Sequence, residues 1–176
     1  MLKVAVPNKG SLSEHARTML LSAGYRQRTD SKELTLIDPD HNVEFYYLRP
    51  RDIAIYVGRG DLDVGITGRD MLLDSRAAAS EIMALGFGGS KFRFAAPASS
   101  GIDEQSLEGK RIATSYAGLL DAYLSKHQVS AEIVELDGAV ESAIRLGVAD
   151  VVADVVDTGT TLRKAGLSLF GDPICV

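Results

Sequence analysis

Residues 3 to 24 read KVAVPNKGSLSEHARTMLLSAG: an apolar run from Lys3 to Val6, a polar turn through Asn8, Lys9 and Gly10, an amphipathic stretch from Leu12 to Ala23, and Gly24 to close it. A strand, a turn and a helix in that order begin a βαβ alternation. The pattern continues outward from there. Leu34 to Ile37 and Val43 to Leu48 are predicted strands joined across Asp38-Pro39-Asp40-His41-Asn42, whose turn-forming residues make the connection a hairpin. One antiparallel pair therefore sits among parallel strands. A helix from Arg51 to Val57, a short strand Val64 to Thr67, a helix near Arg69 to Leu73 and an apolar strand Ile82 to Leu85 complete the first half.

Gly86-Phe87-Gly88-Gly89-Ser90 interrupts the alternation, and its glycines relax the backbone between two extended runs, so a hinge or boundary is placed here. Beyond it come strand Phe92 to Ala96, strand Arg111 to Thr114, helix Leu119 to His127, strand Glu132 to Leu136, helix Val140 to Leu146, strand Val151 to Val155, a helix from about Thr160 and a last strand Leu167 to Phe170. Gly60, Asp63, Val64 and Thr67 echo Gly147, Asp150, Val151 and Asp154 at the same spacing. The echo favours two similar lobes, although a glycine after a helix followed by a polar residue and an apolar strand is also common α/β punctuation. The expected architecture is two α/β lobes, residues 1–90 and 91–176, with mostly parallel sheets. Ligands of open α/β sheets sit outside the carboxyl ends of the strands, so a cleft between the lobes is the default site.

Of 176 residues, 45% are hydrophobic and 24% charged, the balance of an ordinary globular protein. A net charge of −5 argues against general attraction to nucleic acid or an anionic membrane, so any anionic ligand must meet a local site. Cys175 is the only cysteine, which rules out an intrachain disulfide and a cysteine-based metal cluster. The apolar run before Pro7 is too short for a signal peptide, and no uncharged stretch is long enough to span a bilayer. A cytoplasmic protein is expected.

The segment richest in chemistry is Asp154-Val155-Val156-Asp157-Thr158-Gly159-Thr160-Thr161-Leu162, an apolar strand that delivers carboxylates into a hydroxyl-rich glycine turn ahead of a helix. Amide N–H groups at a helix start, with threonine hydroxyls beside them, suit a terminal phosphate, and Gly159 allows close backbone approach. A carboxylate at the strand end suits vicinal sugar hydroxyls. Helix capping by Asp157 and Thr158 is the plainer account of such a turn taken alone. No lysine follows the glycine turn as a Walker A loop requires, and no Gly-x-Gly-x-x-Gly opens the first helix, so nucleotide hydrolysis and a Rossmann dehydrogenase both lose ground. Nor is a covalent catalyst visible: Cys175 is terminal, and His15, His41 and His127 lack a partner pattern.

Glu141, Gly147, Ala149, Val152, Asp154, Val155, Thr158, Gly159, Thr161 and Leu162 fall at the spacing of the ATP phosphoribosyltransferase signature. Val4 to Gly10, Leu48 to Ile53 and Asp63 to Asp70 look like that family's N-terminal lobe, so the resemblance covers essentially the whole chain. It implies two α/β lobes resembling periplasmic binding proteins, and transfer of phosphoribosyl from phosphoribosyl pyrophosphate to N1 of ATP, the first step of histidine biosynthesis, with Mg²⁺ brought in on the substrate phosphates. By resemblance, Asp154 holds the ribose hydroxyls, Asp157, Thr158, Gly159, Thr160 and Thr161 cradle the 5′-phosphate, and Glu141 supports the loop.

Lys9, just past the first strand, and Arg49, beside Pro50 at the end of another, are the cations expected to stabilise departing pyrophosphate; Arg51 is a weaker candidate. An exposed surface base is the ordinary account of any one of them alone. Asp70 is placed to accept from the adenine amino group, with helix capping as the alternative, and Tyr116 to pack on adenine. The acceptor nitrogen would be the nucleophile, leaving the protein to position and to stabilise charge. A homo-oligomer is expected, with a regulatory subunit if the protein is of the family's short form. The family's chain continues beyond the strand that here ends near Cys175 and crosses back to the first lobe, so a chain stopping at Val176 is expected to lack that crossing and the histidine-sensing domain of the long form. Two alternatives stand beside this: a different phosphoribosyltransferase, since purine-salvage enzymes also run from an acidic strand end into a Thr-Gly turn, and a non-catalytic small-ligand-binding protein.

Overall fold

In the computed structural model, which describes residues 1–176, two compact units divide the chain at Met1–Gly88 and Gly89–Val176. The first is built on a four-stranded sheet from β1 (Leu2–Pro7), β2 (Thr35–Asp38), β3 (Val43–Leu48) and β4 (Val64–Gly65), in the order β2-β3-β1-β4. Helices α1 (Ser11–Ser22), α2 (Pro50–Gly58) and α3 (Arg69–Ser75) follow β1, β3 and β4. β1 runs parallel to β3 and β4, and the Asp38–Asn42 turn folds β2 back antiparallel onto β3, as the hairpin reading expects. The alternating pattern of β3 places Val43, Phe45 and Tyr47 in a core with Val4, Val6, Ala16 and Leu20, while Ala5, Ile53 and Leu62 pack on the other face.

Unit 2 carries a five-stranded sheet in the order β7-β6-β8-β5-β9, made from β5 (Lys91–Pro97), β6 (Arg111–Thr114), β7 (Glu132–Glu135), β8 (Val151–Val156) and β9 (Leu167–Cys175). Its helices are α4 (Ala117–His127), α5 (Ser142–Arg145) and α6 (Thr160–Lys164). β6 runs parallel to β7 and β8, whereas β5 is antiparallel to both β8 and β9. Antiparallel pairing is thus more extensive than the single hairpin foreseen. Phe92, Phe94, Ile112, Val151 and Val152 are almost wholly buried, so β8 is apolar on both faces until it reaches Asp154.

The spaced echo between the halves is a structural one. Gly60 and Gly147 both have positive φ, at 77° and 71°. Each closes its helix with the paired bonds of a Schellman turn: Gly60 N–H to Val57 O with Asp61 N–H to Tyr56 O, and Gly147 N–H to Ile144 O with Val148 N–H to Ala143 O. The aspartate that follows then clamps the neighbouring parallel strand. Asp63 N–H donates to Lys3 O while its carboxylate accepts Lys3 N–H at 2.8 Å. Asp150 N–H donates to Arg111 O while its carboxylate accepts Arg111 N–H at 3.0 Å.

Two sequence expectations need correction. Ile82 to Leu85 is not a strand: the run is irregular, with Ile82 and Met83 81% and 70% exposed, because the sheet's edge strand β4 is only two residues long and offers it no ladder. Arg69 holds the segment instead, with a two-pronged contact to Glu81 at 2.8 and 2.7 Å. The last strand extends past Phe170 to Cys175, because β5 gives it a long antiparallel partner.

Candidate functional site

β8 carries the chain to Asp154 through Val151, Val152 and Ala153, all fully buried, so Asp154 is half-buried at the strand's carboxyl end. Burial pushes its carboxyl pKa up, the nearby charge of Glu141 adds to this, and a 2.7 Å bond accepted from Val155 N–H opposes it. No ion pair is made by this carboxylate, whose one bond is the one accepted from Val155 N–H. Glu141 stands at the start of α5.

Past Val156 the chain turns outward. Asp157 and Thr158 are exposed, and Gly159 takes the left-handed conformation, φ 69° and ψ 10°, as the residue that caps α6. Leu162, buried with Val156 and Leu167, pins the short helix to the sheet. The first amide of α6 with a backbone acceptor is Arg163's, which donates to Gly159 O at 3.0 Å; the amides of Thr161 and Leu162 before it have none. The hydroxyls of Thr158 and Thr160 lie 2.9 Å apart, and Arg163 Nη2 donates to Thr158 O at 3.0 Å. Thr158, Gly159, Thr160 and Thr161 thus converge on one helix start rich in unused donors. The Arg163 contact was not foreseen, though a base within the helix after the glycine turn was a readable signal.

In the first unit, β1 and β3 end side by side: Pro7 is in register with Leu48, and Asn8 N–H donates to Leu48 O at 2.8 Å. Lys9 follows Asn8 and Arg49 follows Leu48, and both are exposed without an acidic partner. Arg49 caps α2, with Pro50 in the first turn. Arg51, the weaker candidate, is engaged by the largely buried carboxylate of Asp74. Thr67 Oγ1 donates to Pro50 O at 2.7 Å, tying the end of β4 to the start of α2, and the carboxylate of Asp70 lies over Gly68.

Tyr116 is not available as a stacking platform. It is only 8% exposed, its ring packs edge-on against Phe92 at 5.4 Å, and its N–H donates to Thr114 Oγ1. The aromatic ring that could have faced adenine is part of the second unit's core, because the turn after β6 folds it under α4. No three His, Cys, Asp or Glu side chains converge to form a metal cage.

A family model for ATP phosphoribosyltransferase matches residues 49–176. The chain belongs to the ATP phosphoribosyltransferase family. Its relatives include the ATP phosphoribosyltransferases of Pseudarthrobacter chlorophenolicus, 63% identical over 99% of this chain and 61% of the relative, and of Kocuria rhizophila, 64% identical over 99% and 62%. The chain therefore spans 61 to 62% of the length of these family members. Among solved structures, the ATP phosphoribosyl transferase (HisG:HisZ) complex from Thermotoga maritima matches with a TM-score of 0.83 and 29% identity, over 99% of this chain and 83% of that one. The alkanesulfonate-binding protein of Xanthomonas axonopodis pv. citri shares the fold alone, with a TM-score of 0.55 and 16% identity over 98% of this chain and 60% of that protein.

Proposed function

We propose that this chain supplies the substrate-binding units of an ATP phosphoribosyltransferase, which moves phosphoribosyl from phosphoribosyl pyrophosphate to N1 of ATP and releases pyrophosphate. The observation that carries the reading is the sequence of groups at the end of β8: a half-buried, cation-free carboxylate at Asp154, then a left-handed Gly159 and a helix start with unused donors. That order matches a ribose 5-phosphate, hydroxyls first and phosphate beyond. In the reaction the lone pair of adenine N1 forms the new bond to ribose C1 as the C1–O bond to pyrophosphate breaks, and that electron pair leaves with the pyrophosphate. Positive charge grows on the sugar and negative charge on the leaving group. Lys9 and Arg49, exposed and without acidic partners at adjoining strand ends, suit the latter. Asp154 orients the sugar through its hydroxyls, and Asp70 accepts from the adenine amino group.

Magnesium is proposed to arrive on the substrate phosphates rather than in a protein cage. When bound it neutralises charge on the pyrophosphate. A homo-oligomer, with a regulatory subunit if the protein is of the short form, and a cytoplasmic setting complete the proposal; the Thermotoga maritima neighbour is itself a HisG:HisZ complex. No helix is long and apolar enough to cross a membrane. Pyrophosphate release that requires both ATP and phosphoribosyl pyrophosphate is the expected result; release with a free purine base in place of ATP would reassign the acceptor.

A further inference from the structure

Arg28 lies outside every group discussed so far, yet it is only 8% exposed. A buried guanidinium ordinarily meets a carboxylate, since the charge is costly to remove from water. Arg28 meets backbone carbonyls instead. Nη1 donates to Ser31 O at 2.8 Å and to Glu33 O at 2.6 Å, and Nη2 donates to Asn8 O at 2.7 Å. The guanidinium carbon sits 4.2 Å from the centre of the Tyr47 ring on β3, and the Tyr47 hydroxyl accepts Arg28 N–H at 3.1 Å while donating to Gln27 Oε1 at 3.2 Å. One side chain therefore holds together the Gln27–Glu33 segment, the β3 strand and the turn that follows β1.

The Asn8 carbonyl is the telling partner, because Lys9 is the next residue. Asn8 is fixed on one side by its N–H bond to Leu48 O and on the other by Arg28, while its own side-chain Oδ1 is buried without a partner. On the reading that Lys9 serves the pyrophosphate, we infer that Arg28 is a positioning residue that sets the Asn8-Lys9 turn and so aims the Lys9 ammonium. The planar fork of arginine reaches three carbonyls in different directions; a lysine in its place keeps the charge but is a single point donor. The Asn8 side-chain Oδ1 is itself buried beside this turn, whose backbone is held on both sides by Leu48 and Arg28.

The test measures binding of inorganic pyrophosphate and, separately, of ribose 5-phosphate to the wild-type chain and to Arg28→Lys, Lys9→Ala and the double variant. Arg28→Lys should weaken pyrophosphate about tenfold, the equivalent of one charge-assisted hydrogen bond. It should leave ribose 5-phosphate unchanged, and should add no loss in the Lys9→Ala background. Independent, multiplying losses would show that Arg28 does not act through Lys9, and parallel weakening of both ligands would reduce it to a general structural role. Wild-type pyrophosphate affinity in folded Arg28→Lys, with Lys9→Ala impaired, would sink the inference and spare the proposed function. A wild-type chain that ignores pyrophosphate would remove both. Should Arg28→Lys fail to fold, Tyr47→Phe keeps the ring and removes only the hydroxyl that holds Arg28; about threefold weaker pyrophosphate binding is expected, and unchanged binding overturns the inference.

Discussion

Replacing Gly159 by valine tests the phosphate loop, and the geometry says how the change would act. At φ 69° the residue is in the left-handed region, where a side chain costs about 1–2 kcal/mol. Losing glycine's freedom in the unfolded chain returns about 0.4–1 kcal/mol, so the net loss is roughly 1 kcal/mol. For a chain of this size that is about 2–4 °C in melting temperature. A Cβ built at Gly159 would lie 3.5 Å from Val156 Cγ1 and 3.7 Å from Leu169 Cδ1, ordinary contact distances, so the first carbon fits and valine's two γ-methyls add a packing cost that the thermal melt reads. The added carbon points at the apolar core and not at the loop's open face. Its effect on a ligand therefore comes through the backbone, as a β-branched residue relieves strain by rotating φ and swings the loop amides off their aim. Losing one charge-assisted bond to a phosphate oxygen is worth about 1.5–3 kcal/mol, or roughly ten- to a hundredfold in affinity. Calorimetric titration with ribose 5-phosphate, alongside a thermal melt, reads both numbers. Wild-type affinity in a folded Gly159→Val chain would refute the assignment of this loop.

Lys9→Ala and Arg49→Ala should each lower turnover more than they weaken ATP binding, since their charge matters most as pyrophosphate leaves; steady-state kinetics with unchanged kcat would move the cations elsewhere. Asp154→Asn should raise the melting temperature of the ligand-free chain at neutral pH, while ribose 5-phosphate binding is lost. Burial and Glu141 raise the Asp154 pKa, so its charged form opposes folding above the unfolded pKa and that opposition fades as pH falls through the folded one. Asp150 has the opposite sign: the Arg111 side chain and backbone N–H bring its pKa from 3.8 down to about 2, so its stabilisation is complete above 3.8 and disappears as pH falls toward 2. Asp150→Asn should therefore flatten the acid limb of a stability profile in that window, and a wild-type slope there would contradict the clamp.

Much of this was readable from periodicity and turn chemistry. The alternation of apolar runs located β1, α1, the β2–β3 hairpin and the strand–loop–helix at Asp154 to Leu162, because each is decided by local signals. Ile82 to Leu85 misled for the same reason in reverse: an apolar run specifies a strand only if a neighbouring strand has free backbone to pair with, and that is a property of the sheet. The Tyr116 ring lies in the core rather than open for stacking, because a sequence shows that an aromatic follows a strand but not which way the turn folds it. The role of Arg28 has no sequence signal because its partners are carbonyls, which every residue has. A carboxylate partner leaves a trace in the sequence; a carbonyl leaves none.

The paired Gly-x-x-Asp-Val segments carry the synthesis further. In both units a Schellman turn ends a helix, an aspartate locks the strand that follows to its parallel neighbour, and the chain then emerges at a carboxyl edge at the fourth residue after the aspartate. Up to that residue the two are the same device, and what differs is what the device delivers. In the first unit it is Thr67, whose hydroxyl is used up on Pro50 O and thereby holds the turn that presents Arg49. In the second it is Asp154, whose carboxylate is half-buried, raised in pKa and matched by no cation. A group that only stabilised the fold would be expected to have its partner already, as Thr67 does. The Asp154 carboxylate, bonded only to Val155 N–H, sits where a shared scaffold fixes its position, which is what the proposed role toward a ligand's hydroxyls requires.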